Sequence, residues 1–141
     1  PNMFTITGPG SPSVLTNMPT CIEQHVDWIT DVLEYARDGG LTRIETTEAA
    51  EQEWGEEVQR AADRTLLPRA STSWYLGANV PGKPRVFMPY AGGMASYASA
   101  CADVAKDGYR GFVMAGTAAA AIVGIGRIGA VRAPVPSGRG G

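Results

Sequence analysis

Between Asn17 and Gly39-Gly40, the apolar residues Ile22, Val26, Ile29, Val32 and Leu33 recur at intervals of three and four. That spacing draws one stripe along a helix, not the alternation of a strand. Asn17 or Thr16 is placed to cap its start, Pro19 suits the first turn, and Gly39-Gly40 ends it. A helix from Met18 to about Arg37 follows. Directly ahead, Met3-Phe4-Thr5-Ile6-Thr7 reads as a short β-run stopped by Gly8-Pro9-Gly10. Strand, glycine turn and helix in succession form half of a parallel α/β unit. In such sheets ligands sit at the carboxyl ends of the strands, where the loop from Gly8 to Asn17 lies.

The rest of the chain continues in short elements. Leu41 to Glu45 is extended. Thr47 to about Leu66 reads as a second helix, with Thr47 as its cap, Glu48 and Glu51 in its first turn, and Trp54, Val58, Ala61, Ala62 and Leu66 on one side. Pro68 ends it. Arg85 to Tyr90 reads as a strand, and Gly92-Gly93 turns into a third helix, Met94 to Lys106, closed by Asp107-Gly108. Gly111-Phe112-Val113-Met114 is one more apolar strand. Beyond Met114 the composition changes to Ala, Gly, Val, Ile, Arg and Pro, with no aromatic and no acidic residue. Residues 115–141 therefore read as a low-complexity tail, foreign or disordered.

The 141 residues fit one domain or part of a larger one. A net charge of -2 argues against a nucleic-acid binder, whose basic footprint should show. No uninterrupted apolar run reaches membrane-spanning length. Cys21 and Cys101 are too few for a disulfide scaffold and wrongly spaced for zinc, so a reduced, cytoplasmic setting fits. The chain opens on Pro1, just ahead of a β-run, and this reads as a fragment whose upstream part is missing.

Candidate chemistry is sparse. Gly124, Gly126 and Gly129 spell GxGxxG, but the following helix, second strand and acidic residue of a dinucleotide site are absent. His25 is the single histidine; in mid-helix beside Glu23 and Asp27 it reads as a structural residue rather than a base. Cys21 and Cys101 read as small core residues. No metal constellation is present. Two loops remain. Gly8 to Met18 leads into a helix N-terminus, whose N–H groups and dipole favour an electron-rich atom. Thr72 to Arg85 offers the flat faces of Trp74 and Tyr75 beside the cations Lys83 and Arg85. On spacing and composition alone, each reads equally as a plain connection.

Taken together, "GPGSPSVLTNMP", "IEQHVDW", "TRIETT", "SWYLGANVPGKPR" and "CADVAKDGYRGFVM" resemble the C-terminal part of Baeyer–Villiger monooxygenases acting on cyclic and aryl ketones. The resemblance runs in order from Pro1 to Met114. It implies a flavoprotein with two dinucleotide-binding domains that binds FAD and uses NADPH and O2 to turn a ketone into an ester or lactone. Residues 1–114 would be the C-terminal part of the FAD-binding domain, an α/β piece with mostly helical content. In that family Asn17 and Met18 match cofactor-binding positions beside the flavin ring, and Trp74 matches the tryptophan of a control loop over the nicotinamide nucleotide. Ser13, Val14, Leu15, Met88 and Pro89 match the substrate pocket.

The family's two glycine fingerprints, its histidine-and-tryptophan signature and its catalytic arginine all lie upstream, so no catalytic residue is assigned here. The isolated chain is expected to be inactive, to need the missing N-terminal part of its own chain, and to be poorly stable or to aggregate through unpaired edges of the strand Phe4 to Thr7. A flavin monooxygenase acting on nitrogen or sulfur and a non-enzymatic stand-alone remnant are the alternatives.

Overall fold

The computed structural model describes residues 1–69, 73–77 and 80–116. The GxGxxG of the tail, with all of 117–141, and Thr72, Ala78 and Asn79 of the second loop lie outside the described residues. The elements are α1 (Met18–Asp38), β1 (Leu41–Thr46), α2 (Glu48–Asp63), α3 (Met94–Lys106) and β2 (Phe112–Gly116).

Local chemistry sets most boundaries. The Asn17 side chain accepts from the Thr20 N–H at 3.3 Å and caps α1, with Pro19 in the first turn. Thr47 caps α2 in the same way, accepting from the Ala50 N–H at 3.2 Å. Helix α2 stops at Asp63, short of the expected Leu66. The Thr65 hydroxyl donates to the Ala62 carbonyl at 2.7 Å, and Pro68 biases Leu67 away from a continuing α-helix. Leu66 is left 74% exposed. Helix α3 spans the expected residues, and Gly108 at φ +65 turns the chain after it.

The sheet differs from the expected parallel arrangement. Strands β1 and β2 pair antiparallel, Ile44 facing Met114 and Thr46 facing Phe112, with an irregularity between Leu41 and Arg43. β2 continues through Ala115 and Gly116. Residues 3–7 form no strand. Asn2 bonds to β1 through its N–H to the Ile44 carbonyl and through its side chain to Thr42 and Ile44, and the Pro1 amino group lies 3.9 Å from the Glu45 carboxylate. Thr7, at φ +53, turns away and donates its N–H to His25. The extended run 85–90 likewise joins no ladder, because its backbone groups go to a loop, a turn and a side chain.

The buried stripe of α1 is also rotated from the expected one. Cys21, His25 and Val32 are buried and Trp28 half-buried, whereas Ile22, Val26 and Leu33 are 39%, 45% and 55% exposed. The Trp28 indole donates to the Cys101 carbonyl of α3 at 3.0 Å, and Val32 packs with Ile44 and Tyr109. These contacts turn the Cys21–Val32 side inward. A second core lies on α2, where Val58 and Ala61 meet Tyr90, and Ala62 meets Leu76 and Phe87. Among the described residues, no helix is long and apolar enough to cross a membrane.

Candidate functional site

Three segments far apart in sequence are joined by main-chain hydrogen bonds over α2. The first begins in the turn at Gly8, whose carbonyl accepts from both the N–H and the hydroxyl of Ser11. Ser11 and Pro12 are buried, and the short turn Ser13–Leu15 follows with Ser13 at φ +46. Val14 and Leu15 are exposed. The second segment is 87–90. Gly10 donates to the Met88 carbonyl at 2.9 Å and Tyr90 donates to the Ser11 carbonyl at 2.8 Å. The third is the turn Trp74–Leu76, where the Tyr75 carbonyl accepts from the Met88 N–H at 3.3 Å. Met88 is thus the hub: its N–H binds one segment and its carbonyl another.

Helix α2 anchors this assembly from below. The Trp54 indole donates to the Gly10 carbonyl at 3.0 Å. The Gln59 side chain donates to the Phe87 carbonyl at 2.8 Å and accepts from the Phe87 N–H at 3.4 Å. Sequence reasoning placed Trp54 on a core face and did not single out Gln59. Nothing in a helical glutamine's neighbours announces that it will pair with a backbone 28 positions away.

The expected site residues therefore fall as follows. Ser13, Val14 and Leu15 sit two to four positions beyond the Gly10–Ser11 anchor, on the segment bonded to Met88. Met88 is 43% exposed and Pro89 is buried. The backbone of Trp74 lies in the turn whose next residue bonds Met88. Asn17 is exposed at the start of α1, with Met18 half-buried beside it, and no acidic residue lies in that first helical turn. Lys83 and Arg85 are exposed.

A separate cavity of about 640 Å³ is lined by His25, Trp28, Trp54, Tyr97, Cys101 and Phe112, among others, and by none of the expected site residues. His25 is a structural residue there. Its Nδ1 accepts the Thr7 N–H at 2.9 Å, so the ring proton sits on Nε2, 3.7 Å from the Cys21 sulfur. Burial lowers the imidazole pKa below 6.5. Burial also raises the Cys101 thiol and holds the Tyr97 hydroxyl above the ordinary phenol. Raised, buried groups of this kind are poor nucleophiles. Among the described residues, no cluster of His, Cys, Asp or Glu is arranged to hold a metal.

No protein-family model matches the chain. Individual proteins do. The chain is 41% identical over 115 residues to the acetone monooxygenase (methyl acetate-forming) of Gordonia sp. (strain TY-5), covering 81% of this chain and 21% of that one. It is 38% identical over 118 residues to a Baeyer–Villiger monooxygenase of Pseudooceanicola batsensis, covering 84% and 21%. A closed crystal structure of cyclohexanone monooxygenase superposes with a TM-score of 0.75 at 43% identity, covering 83% of this chain and 22% of that one. A crystal structure of OTEMO in complex with FAD and NADP gives 0.71 at 33% identity, covering 81% and 20%. A phenazine N-monooxygenase of Lysobacter antibioticus is 36% identical, covering 81% and 20%.

The class defined by these matches is the flavoprotein monooxygenases that bind FAD and NADP. Within it the chain's relatives include Baeyer–Villiger monooxygenases and a phenazine N-monooxygenase, and it spans about a fifth of the length of the curated relatives it matches.

Proposed function

We propose that residues 1–114 are the C-terminal part of the FAD-binding domain of an FAD- and NADPH-dependent Baeyer–Villiger monooxygenase. The parent converts a ketone, O2, NADPH and a proton into an ester or lactone, NADP+ and water. The observation that carries the reading is the joining of three segments through Met88, because these are the segments that the family resemblance assigns to pocket and nucleotide.

Each residue has a definite part. Ser13, Val14, Leu15, Met88 and Pro89 form one wall of the ketone pocket, apolar enough to exclude water around the carbonyl. The Trp74 turn carries the loop that closes over NADP(H), and the Met88–Tyr75 bond ties its position to the pocket wall. Asn17 and Met18 meet the flavin at a helix N-terminus. The residues fit that group: the dipole there favours an electron-rich edge, and no carboxylate in the first turn opposes it. When bound, the flavin supplies the activation of O2. The chain by itself lacks both dinucleotide sites and is inactive without the upstream part of its parent. Two free cysteines fit a cytoplasmic, reducing setting.

The test is an assembled flavoprotein, in which residues 1–116 replace the matching stretch of the Gordonia acetone monooxygenase. Retained FAD and NADPH-dependent ester formation from a ketone are expected. An assembly that holds FAD yet forms no ester from any ketone overturns the reading. The Lysobacter relative favours a second reading, oxidation at nitrogen. Product analysis of the same assembly with a ketone and an aromatic N-heterocycle separates the two.

A further inference from the structure

Gln59 stands on α2, away from both pocket segments in sequence, yet its side-chain amide pairs with both backbone polar groups of Phe87. The Nε2 group donates to the Phe87 carbonyl at 2.8 Å and Oε1 accepts the Phe87 N–H at 3.4 Å. A carboxamide presents donor and acceptor in one plane, as a peptide unit does. Gln59 thus stands in for the neighbouring strand that 85–90 lacks.

The consequence is directional. With its backbone clamped, Phe87 points inward, 2% exposed, against Ala62 and Leu76. The next residue, Met88, is exposed instead and keeps its own N–H and carbonyl for Tyr75 and Gly10. Trp54, on the same helix, holds the other partner, Gly10. Two side chains of one rigid helix therefore fix how far 87–90 stands from 10–15.

We propose that Gln59 is a positioning residue for the ketone pocket, setting the register of Met88 and Pro89 against Ser13–Leu15 and so the size and shape of ketone accepted. This rests on the reading of those five residues as pocket wall. Gln59 touches neither substrate nor cofactor and acts through the Phe87 backbone. Its loss therefore alters ketone selection before it alters the chemical step.

The assembled flavoprotein described above tests this. Gln59→Met keeps length and volume and removes both hydrogen bonds. Gln59→Asn keeps both polar groups on a shorter stem. Expected for Gln59→Met is a rise of about five-fold in ketone KM, the net size of one neutral hydrogen bond passed on to the pocket. kcat for the best ketone should stay within about two-fold by the same reasoning, with FAD content and the KM for NADPH unchanged. The ratio of isomeric esters from an unsymmetrical ketone should shift, and Gln59→Asn should restore part of it.

Unchanged ketone KM and product ratio in an enzyme that still holds FAD overturn the proposal. So does a joint fall of kcat, NADPH affinity and FAD content, which marks a generic structural role. If the unsubstituted assembly holds FAD but makes no ester, the reading of function fails instead. Amide exchange then judges Gln59 alone: Gln59→Met must expose the Phe87 and Tyr90 amides while those of α3 stay protected. Unchanged protection at Phe87 refutes the clamp.

Discussion

The Trp54 indole donates to the carbonyl oxygen of Gly10 at 3.0 Å, across 44 positions of chain. Gly10 adopts φ +79, and a Cβ on it would lie 2.9 Å from the indole nitrogen. The backbone shape and the close approach both require glycine. Gly10→Ala should cost about 2–3 kcal/mol, from left-handed strain of 1–2 and a weakened hydrogen bond of about 1. Chemical denaturation of variant and parent measures it. A cost under about 0.5 kcal/mol, below the strain alone, would show that the loop does not depend on this contact.

His25 makes stability pH-dependent. It is 7% exposed, its Nδ1 accepts from Thr7, and burial holds its pKa below 6.5. The unfolded chain therefore binds a proton at His25 more readily than the folded one. The neutral imidazole's contribution is present above pH 6.5, where unfolded histidine is also neutral, and is lost as pH falls from there through the lower folded pKa. Protonation also puts a hydrogen on Nδ1, opposite the Thr7 N–H. Stability measured between pH 8 and pH 5 should fall on the acid side, and His25→Gln should flatten that part of the curve. An equal slope in His25→Gln assigns the loss to carboxylates instead.

The rotation of α1 shows what the sequence hides. The helix itself, its Asn17 cap and the glycine stop are local chemistry, and they are legible. Which stripe turns inward is not local. Ile22, Val26, Ile29 and Leu33 make an apolar row as convincing as Cys21, His25, Trp28 and Val32. The choice is settled by Cys101, Ile44 and Tyr109, which lie elsewhere in the chain. Residues 3–7 and 85–90 have strand-like sequences yet form no strand for a related reason: β-like composition makes a strand only where another strand offers a ladder. The segments proposed to line the pocket are legible as whole motifs, whereas Trp54 and Gln59, which hold those segments, carry no motif.

An exposed apolar row next to a buried one predicts self-association. At 45% and 55% exposure, Val26 and Leu33 make the stripe a face that water disfavours. The 141-residue chain alone should form oligomers visible by light scattering. Val26→Lys with Leu33→Glu should reduce them with helical circular dichroism unchanged, since Glu23 and Arg37 lie one turn away with opposite charge. If an upstream part of the parent covers this face in the assembled flavoprotein, the same pair should loosen FAD there. Retained FAD with restored solubility would mean that the stripe faces solvent there too.

Asn17 caps α1 and is proposed to meet the flavin, and one substitution separates the two roles. Its Oδ1 accepts from the Thr20 N–H and hydroxyl at 3.3 and 3.4 Å, which caps α1. Asn17→Ala should lose about 1 kcal/mol of stability with the cap. Asn17→Asp keeps the capping oxygen, and its charge suits the helix dipole, so stability should hold or rise slightly. Toward the flavin the same charge acts oppositely. Reduced flavin is electron-rich at the edge this helix is proposed to face, and a carboxylate there raises the energy of the reduced form. In the assembled flavoprotein, Asn17→Asp should slow flavin reduction by NADPH and lower the flavin's reduction potential, whereas Asn17→Ala should shift the potential much less. Bleaching of the oxidised flavin band under anaerobic NADPH follows the rate. If Asn17→Asp is as stable as the parent and its flavin is reduced at the parental rate and potential, Asn17 caps the helix and does not meet the flavin.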